Sequence, residues 1–201
     1  MLDTQHLVPA MLYSVALLPP ARVSEPLAAI RARLDPEHAP KTTPHITLKQ
    51  PFATETNALN EAALVRALSR ACARHPSFQL ELEGVSFFES PRFGCVLYIG
   101  ARACPQLHAL SAALVHAIAE LGHKTLGLEL EHENRLFFPH LTLAQGLGRQ
   151  EAEHAQRELS ELGSYAFSAE RVVVGRCGPD GVWERPYELG LDRSQHSLDL
   201  H

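Results

Sequence analysis

Lysine is almost missing from this chain: 201 residues contain only Lys41, Lys49 and Lys124, against fifteen arginines, and the formal net charge is −5. With a pI near 6.2 there is no basic stripe of the kind that releases counterions along a long duplex, so such a partner is excluded. A nucleotide or an RNA end, which needs only a few local groups, is permitted. Cysteine is scarce too. Cys72, Cys95, Cys104 and Cys177 lie far apart with no Cys-x-x-Cys pair, which excludes a disulfide-stapled secreted domain and implies free thiols. No apolar run approaches the roughly 18 residues of a membrane span, and the N-terminus lacks a charged stretch followed by a long apolar one. A cytoplasmic monomer that neither crosses nor sits on a membrane is expected. At 45% hydrophobic residues the chain can bury a full core.

Histidine, by contrast, is abundant at 12, and two histidines sit in copies of one string. Thr43-Pro44-His45-Ile46-Thr47-Leu48-Lys49-Gln50 and Phe138-Pro139-His140-Leu141-Thr142-Leu143-Ala144-Gln145 share Pro, His, Thr, Leu and Gln in the same order. Side chains alternate between the faces of an extended chain. His45, Thr47 and Lys49 therefore fall on one face with Ile46 and Leu48 behind them, and His140 and Thr142 share a face backed by Leu141 and Leu143. A leading proline holds its predecessor extended and offers no N–H to a ladder, as suits a strand entrance.

Around these strings the pattern predicts a strand over 12–18, stopped by Pro19-Pro20, and a helix opened by Ser24 and running to about Leu34 on Leu27, Ile30 and Leu34. Further helices are predicted over 54–75, 105–121 and 151–162. Arg66, Arg70 and Arg74 read as a solvated ridge on the first of these. Strands over 78–87 and 95–99 form a hairpin through Ser90-Pro91-Arg92. Strands over 167–177 and 182–191 form another around Pro179-Asp180-Gly181. Residues 1–10 read as a leader and 193–201 as a polar C-terminal tail, leaving one domain over 1–192. The fold class is α+β. The element order suggests a duplicated fold of two pseudo-symmetric lobes, two antiparallel sheets flanking a central groove with helices outside. In that arrangement the two His strands face each other and their 95-residue spacing is a lobe length.

His123-Lys124-Thr125-Leu126 also fits His-x-Thr-Leu. It has no leading proline and puts Lys124 where the others carry a buried apolar residue, so it reads as a chance match. A metal site would need more donors than each string supplies: one imidazole nitrogen, no carboxylate, and neither His-x-His nor His-Glu-x-x-His. No metal or other cofactor is expected.

The paired Pro-His-Ile-Thr-Leu and Pro-His-Leu-Thr-Leu strings resemble the His-x-Thr signatures of the two-histidine (2H) phosphoesterase superfamily, which includes bacterial 2'-5' RNA ligases and RNA 2',3'-cyclic phosphodiesterases. The run from Tyr13 to Pro19, the helix, Leu34-Asp35-Pro36, and then His45 to Phe52 is similar to the layout of the bacterial 2'-5' RNA ligase branch. Gln145 is a departure, since many ligase-type members carry Arg just after the second motif. The resemblance implies metal-free hydrolysis, or reverse ligation, of a 2',3'-cyclic phosphate or a 2'-5' linked nucleotide or RNA end. In it His45 and His140 are catalytic and Thr47 and Thr142 bind phosphate. His45 is usually the acid and His140 the base, although near-symmetry and the reverse reaction exchange the two. Independently of the family, displacement at phosphorus needs one proton removed and another delivered on the opposite side, which two facing imidazoles with reference pKa near 6.5 can do. Lys49 could add charge to the same face. Phe52 and Phe137 could stack on a base or fill the core. A non-catalytic RNA or nucleotide binding module on the same fold is the alternative.

Overall fold

The structure, a computed structural model, describes residues 11–54, 58–91, 93–122, 137–178 and 180–192. The elements are β1 (Met11–Leu17), α1 (Ala21–Leu34), a 3-10 turn (Ala39–Lys41), β2 (Ile46–Thr54), α2 (Ala58–Cys72), β3 (Phe78–Ser90), β4 (Gly94–Ala101), α3 (Pro105–Glu120), β5 (His140–Leu147), α4 (Arg149–Glu158), β6 (Tyr165–Ala169), β7 (Arg171–Cys177) and β8 (Trp183–Gly190). The segments 1–10 and 193–201, the third His-x-Thr-Leu string at 123–126, and Arg92 and Pro179 of the two turns lie outside the described residues.

Among the described residues, eight strands join one sheet in the order β6-β3-β4-β5-β2-β1-β7-β8, antiparallel at each junction. This corrects the expectation of two sheets. The join is nevertheless narrow: β2 meets β5 at a single pair, Ile46 opposite Leu141. Outward from it the order is β1, β7, β8 on one side and β4, β3, β6 on the other. One half of the sheet thus combines both ends of the described chain, while the other is the contiguous middle.

The strand predicted over 167–177 is in fact two. Phe167 and Ala169 are buried in β6 against β3, whereas Val172 and Val174 are buried in β7 against β1. The apolar phase slips by one residue between them, and the chain crosses from one edge half of the sheet to the other.

Helix α1 starts directly after Pro20, three residues before Ser24, and buries Val23, Leu27 and Arg31 at four-residue spacing. Although it connects β1 to its neighbour β2, it packs against β5; α3, which connects β4 to β5, packs against β2. Each helix therefore backs the other half's His strand and spans the narrow join. The core lies between helices and sheet, with Leu17, Ile46, Leu97, Ile99, Leu141, Leu143 and Val174 at 0% exposure. Ser111 of α3 fastens this layer by donating its hydroxyl to the Leu48 carbonyl at 2.7 Å. Arg66, Arg70 and Arg74 are exposed, as a solvated ridge should be. The four cysteines are free. Among the described residues no helix is long and apolar enough to cross a membrane.

Candidate active site

Both histidines enter the sheet in the same way. In Thr43-Pro44-His45 and Phe138-Pro139-His140 the prolines are buried, and each imidazole turns back on the carbonyl two residues before it. His45 Nδ1–H donates to the Thr43 carbonyl at 2.8 Å, and His140 Nδ1–H donates to the Phe138 carbonyl at 2.8 Å. A carbonyl only accepts, so the proton of each neutral ring is held on Nδ1 and Nε2 becomes the nitrogen that can take or give a proton. Ile46 and Leu141 are opposite one another and both buried behind the sheet. The residues flanking that pair, His45 immediately before β2 and Thr47 on it, and His140 and Thr142 on β5, therefore project from the other face.

That face is the floor of a groove of about 370 Å³ lined by all four of these residues. Its two ends differ. Around His140 are aromatic rings: Tyr98 at 5.3 Å, Phe88 edge-on at 5.6 Å and Phe138 at 5.8 Å between centroids. Around His45 the neighbours are polar, with Thr42 Oγ1 3.4 Å from Nδ1 and the charges of Arg31 and Arg185 within electrostatic reach. Burial depresses the pKa of His45, the bond to Thr43 opposes this, and Arg31, Arg185 and His140 depress it further. Burial also depresses His140, opposed by the bond to Phe138. The repulsion between the two imidazoles places them in one electrostatic site.

Asp35, buried at the end of α1, braces the wall. Its Oδ1 accepts from the His38 backbone N–H at 3.1 Å and lies 2.8 Å from His38 Nδ1, while Oδ2 accepts from the Gln145 N–H at 3.1 Å. One carboxylate thus ties the first motif's approach loop to the end of the second motif. On the far wall the β7–β8 hairpin brings Trp183 and Arg185 into the groove. Gly175 permits this close approach, since a Cβ there would stand 3.0 Å from Ser14 Oγ and 3.1 Å from the Trp183 ring.

His45, Thr47, His140 and Thr142 are brought together where the sequence puts them. Lys49 is not. Pairing of Val15 with Lys49 but of Ala16 with Thr47 leaves Leu48 as an extra residue, a bulge in β2. Leu48 and Lys49 are consequently both buried, and Lys49 Nζ lies 5.4 Å from the Phe52 ring centroid, away from the groove lining. The groove face resumes at Gln50. Phe52 is core, 6.1 Å from Tyr13, and Phe137 packs against the core beside His108. Sequence reasoning missed Arg31, Trp183 and Arg185. A signal for Arg31 was present, because it continues the buried stripe of Val23 and Leu27; nothing local marks the other two. Among the described residues, no three of His, Cys, Asp and Glu cluster closely enough to hold a metal ion.

The antiparallel sheet with paired His-x-Thr strands on one groove defines a class. A model of the 2'-5' RNA ligase superfamily matches residues 19–178, and the chain belongs to that family of two-histidine phosphoesterases, an enzyme family. Similar curated proteins include one from Bacillus cereus (strain G9842) named "Putative phosphoesterase BCG9842_B4061", 30% identical over 72% of this chain and 74% of its own length. Another, from Bacillus thuringiensis (strain Al Hakam), is 29% identical over the same shares. Among solved structures, E. coli LigT complexed with 3'-AMP superimposes with a TM-score of 0.63 at 20% identity, covering 90% of this chain and 98% of LigT. TT0787 of Thermus thermophilus gives 0.64 at 18% identity, covering 92% and 100%. These structural likenesses show the fold.

Proposed function

We propose that the protein is a phosphodiesterase for 2',3'-cyclic phosphates or 2'-5' linked nucleotide or RNA ends, working by acid–base catalysis with His45 and His140. The observation that carries this reading is the matched pair of imidazoles on adjoining strands, each with Nδ1 committed to a carbonyl and Nε2 left for the groove. One ring takes the proton of the attacking water as the P–O bond forms. The other gives a proton to the ribose oxygen as its bond to phosphorus breaks. Thr47 and Thr142 offer hydroxyls to the non-bridging oxygens. A nucleotide ligand is supported by the complexes of E. coli LigT with 3'-AMP, ATP and NADP+. With a 5'-hydroxyl in place of water as the nucleophile, the same proton transfers form its bond to the phosphorus of a 2',3'-cyclic end as the bond to the ribose 3'-oxygen breaks and that oxygen is protonated, which is the ligase direction.

The test is turnover of 2',3'-cyclic nucleotides and a 2'-5' linked dinucleotide in chelator from pH 5 to 9. His45→Ala and His140→Ala should each lose roughly 10²- to 10⁴-fold in kcat with an unchanged melting temperature. Full activity in both variants would refute the reading. Binding without turnover by the wild type would point to a non-catalytic module.

A further inference from the structure

Arg31 occupies a place where an arginine is costly. It follows Val23 and Leu27 in the buried stripe of α1 and is itself only 4% exposed. Of its guanidinium donors, Nη1 gives one hydrogen bond, to the Thr42 carbonyl at 2.9 Å, while Nε is buried with no partner. Asp35 attracts it, but that carboxylate commits Oδ1 to His38 and Oδ2 to Gln145. Among the described residues no carboxylate stands in ion-pair range of Arg31. A buried, un-neutralised cation with an unmet donor carries a desolvation penalty that only an anion or acceptor can relieve. Arg31 lines the groove beside His45 and Thr47, so the groove is where such an anion can arrive.

We infer that Arg31 is a substrate-binding residue whose guanidinium receives the phosphate group in the groove. It supplies from α1 the charge that the uncharged Gln145 at the end of the second motif cannot. The inference rests on the phosphodiesterase reading for the identity of the anion, and on the geometry of α1 for the site. The bond to Thr42 gives Arg31 a second task, holding the loop that delivers His45, and the experiment must separate the two.

Inorganic phosphate is titrated calorimetrically into the wild type and the Arg31→Met, Arg31→Lys and Asp35→Asn variants, with melting temperatures taken alongside. Arg31→Met should weaken phosphate ~10- to 100-fold, the range of a charge-assisted hydrogen bond. Arg31→Lys, which keeps the charge without the fork, should lose less. Asp35→Asn loosens the same loop but removes a negative charge, so it should bind phosphate as well as the wild type or better. The His45 imidazole, followed by NMR in the Arg31 variants, should titrate at higher pH in Arg31→Met and stay near its wild-type position in Arg31→Lys. Equal weakening in Arg31→Met and Asp35→Asn, or wild-type phosphate affinity in Arg31→Met, overturns the inference. Should Arg31→Met fail to fold, Arg31→Lys decides: wild-type phosphate affinity there overturns the inference, and intermediate affinity supports it. Turnover of a 2',3'-cyclic nucleotide by the wild type is measured separately. Arg31-dependent phosphate binding without turnover defeats the phosphodiesterase reading alone, whereas turnover with Arg31-independent phosphate binding defeats this inference alone.

Discussion

An imidazole whose Nδ1 proton is held by a backbone carbonyl can exchange protons only through Nε2, and this chain makes that arrangement twice with the same three-residue device, X-Pro-His. The proline fixes the preceding residue extended, and the carbonyl of that residue meets the ring at 2.8 Å in both copies. Burial lowers both histidine pKa values, and nearby cations lower that of His45 further. In the free enzyme both titrations should therefore lie below the ordinary value of about 6.5, and the bell of kcat/KM should centre on the acid side of it. A bound phosphate anion favours the charged ring, so the kcat profile should sit at higher pH than the kcat/KM profile. Initial rates from pH 4.5 to 9 check both; a kcat/KM bell centred well above neutrality would contradict the burial argument. The same shifts bear on stability. A histidine depressed in the folded state contributes fully above about 6.5 and loses its contribution as pH falls through that value toward the folded pKa. The rings, the threonines and the prolines were all legible in the sequence because each acts through its immediate neighbours. Arg31 was legible only as an oddity, a charge in an apolar stripe whose meaning depends on what α1 packs against.

At the level of elements, alternation is informative until a bulge resets it. His45 and Thr47 face the groove as period two requires, but the extra residue at Leu48 removes Lys49 from that face and returns Gln50 to it. No residue in 46–50 announces the bulge; it follows from matching β2 to β1, whose partners at the bulge lie 31 and 34 positions earlier. Pro51, which has no N–H to give, falls within a second irregularity of the same ladder. The same limit explains 167–177, where one apparent strand serves opposite halves of the sheet, and the groove aromatics. Phe88, Phe93 and Trp183 line the groove, while Phe52 and Phe137, beside the motifs in sequence, pack into or against the core. Trp183 and Arg185 reach the groove because β7, to which β8 is paired, itself pairs with β1. The bulge has a kinetic consequence. Lys49→Met should leave kcat/KM for a cyclic nucleotide within ~2-fold of wild type, about 0.4 kcal/mol, measured under the conditions that quantify His45→Ala. A tenfold rise in KM would return Lys49 to the groove.

Across the whole molecule, the half of the sheet that carries His45 is assembled from both ends of the described chain: β1 and β2 from one, β7 and β8 from the other. Its closure is long-range, so what locks it affects global stability. Behind the groove a polar cluster joins the two. Tyr13 of β1 is 2% exposed; its phenol bonds Glu61 of α2, and burial, then Glu61, raise its pKa to about 12. Tyr187 of β8 donates to Glu61 Oε1 at 2.9 Å. Arg176 of β7 lies 3.6 Å from Glu61 and 2.9 Å from Glu184. A group raised in the folded state contributes fully below its unfolded pKa of about 10 and loses that contribution as pH climbs toward 12. The wild type should therefore lose stability steeply between pH 10 and 12. Tyr13→Phe, which cannot ionise, should lose less over that interval, although near neutrality it gives up a hydrogen bond and is the less stable of the two. Urea unfolding of both proteins at pH 8, 10 and 11 measures the difference. Parallel losses in the two would mean that alkaline unfolding begins elsewhere than at the join between the first strand and the last hairpin.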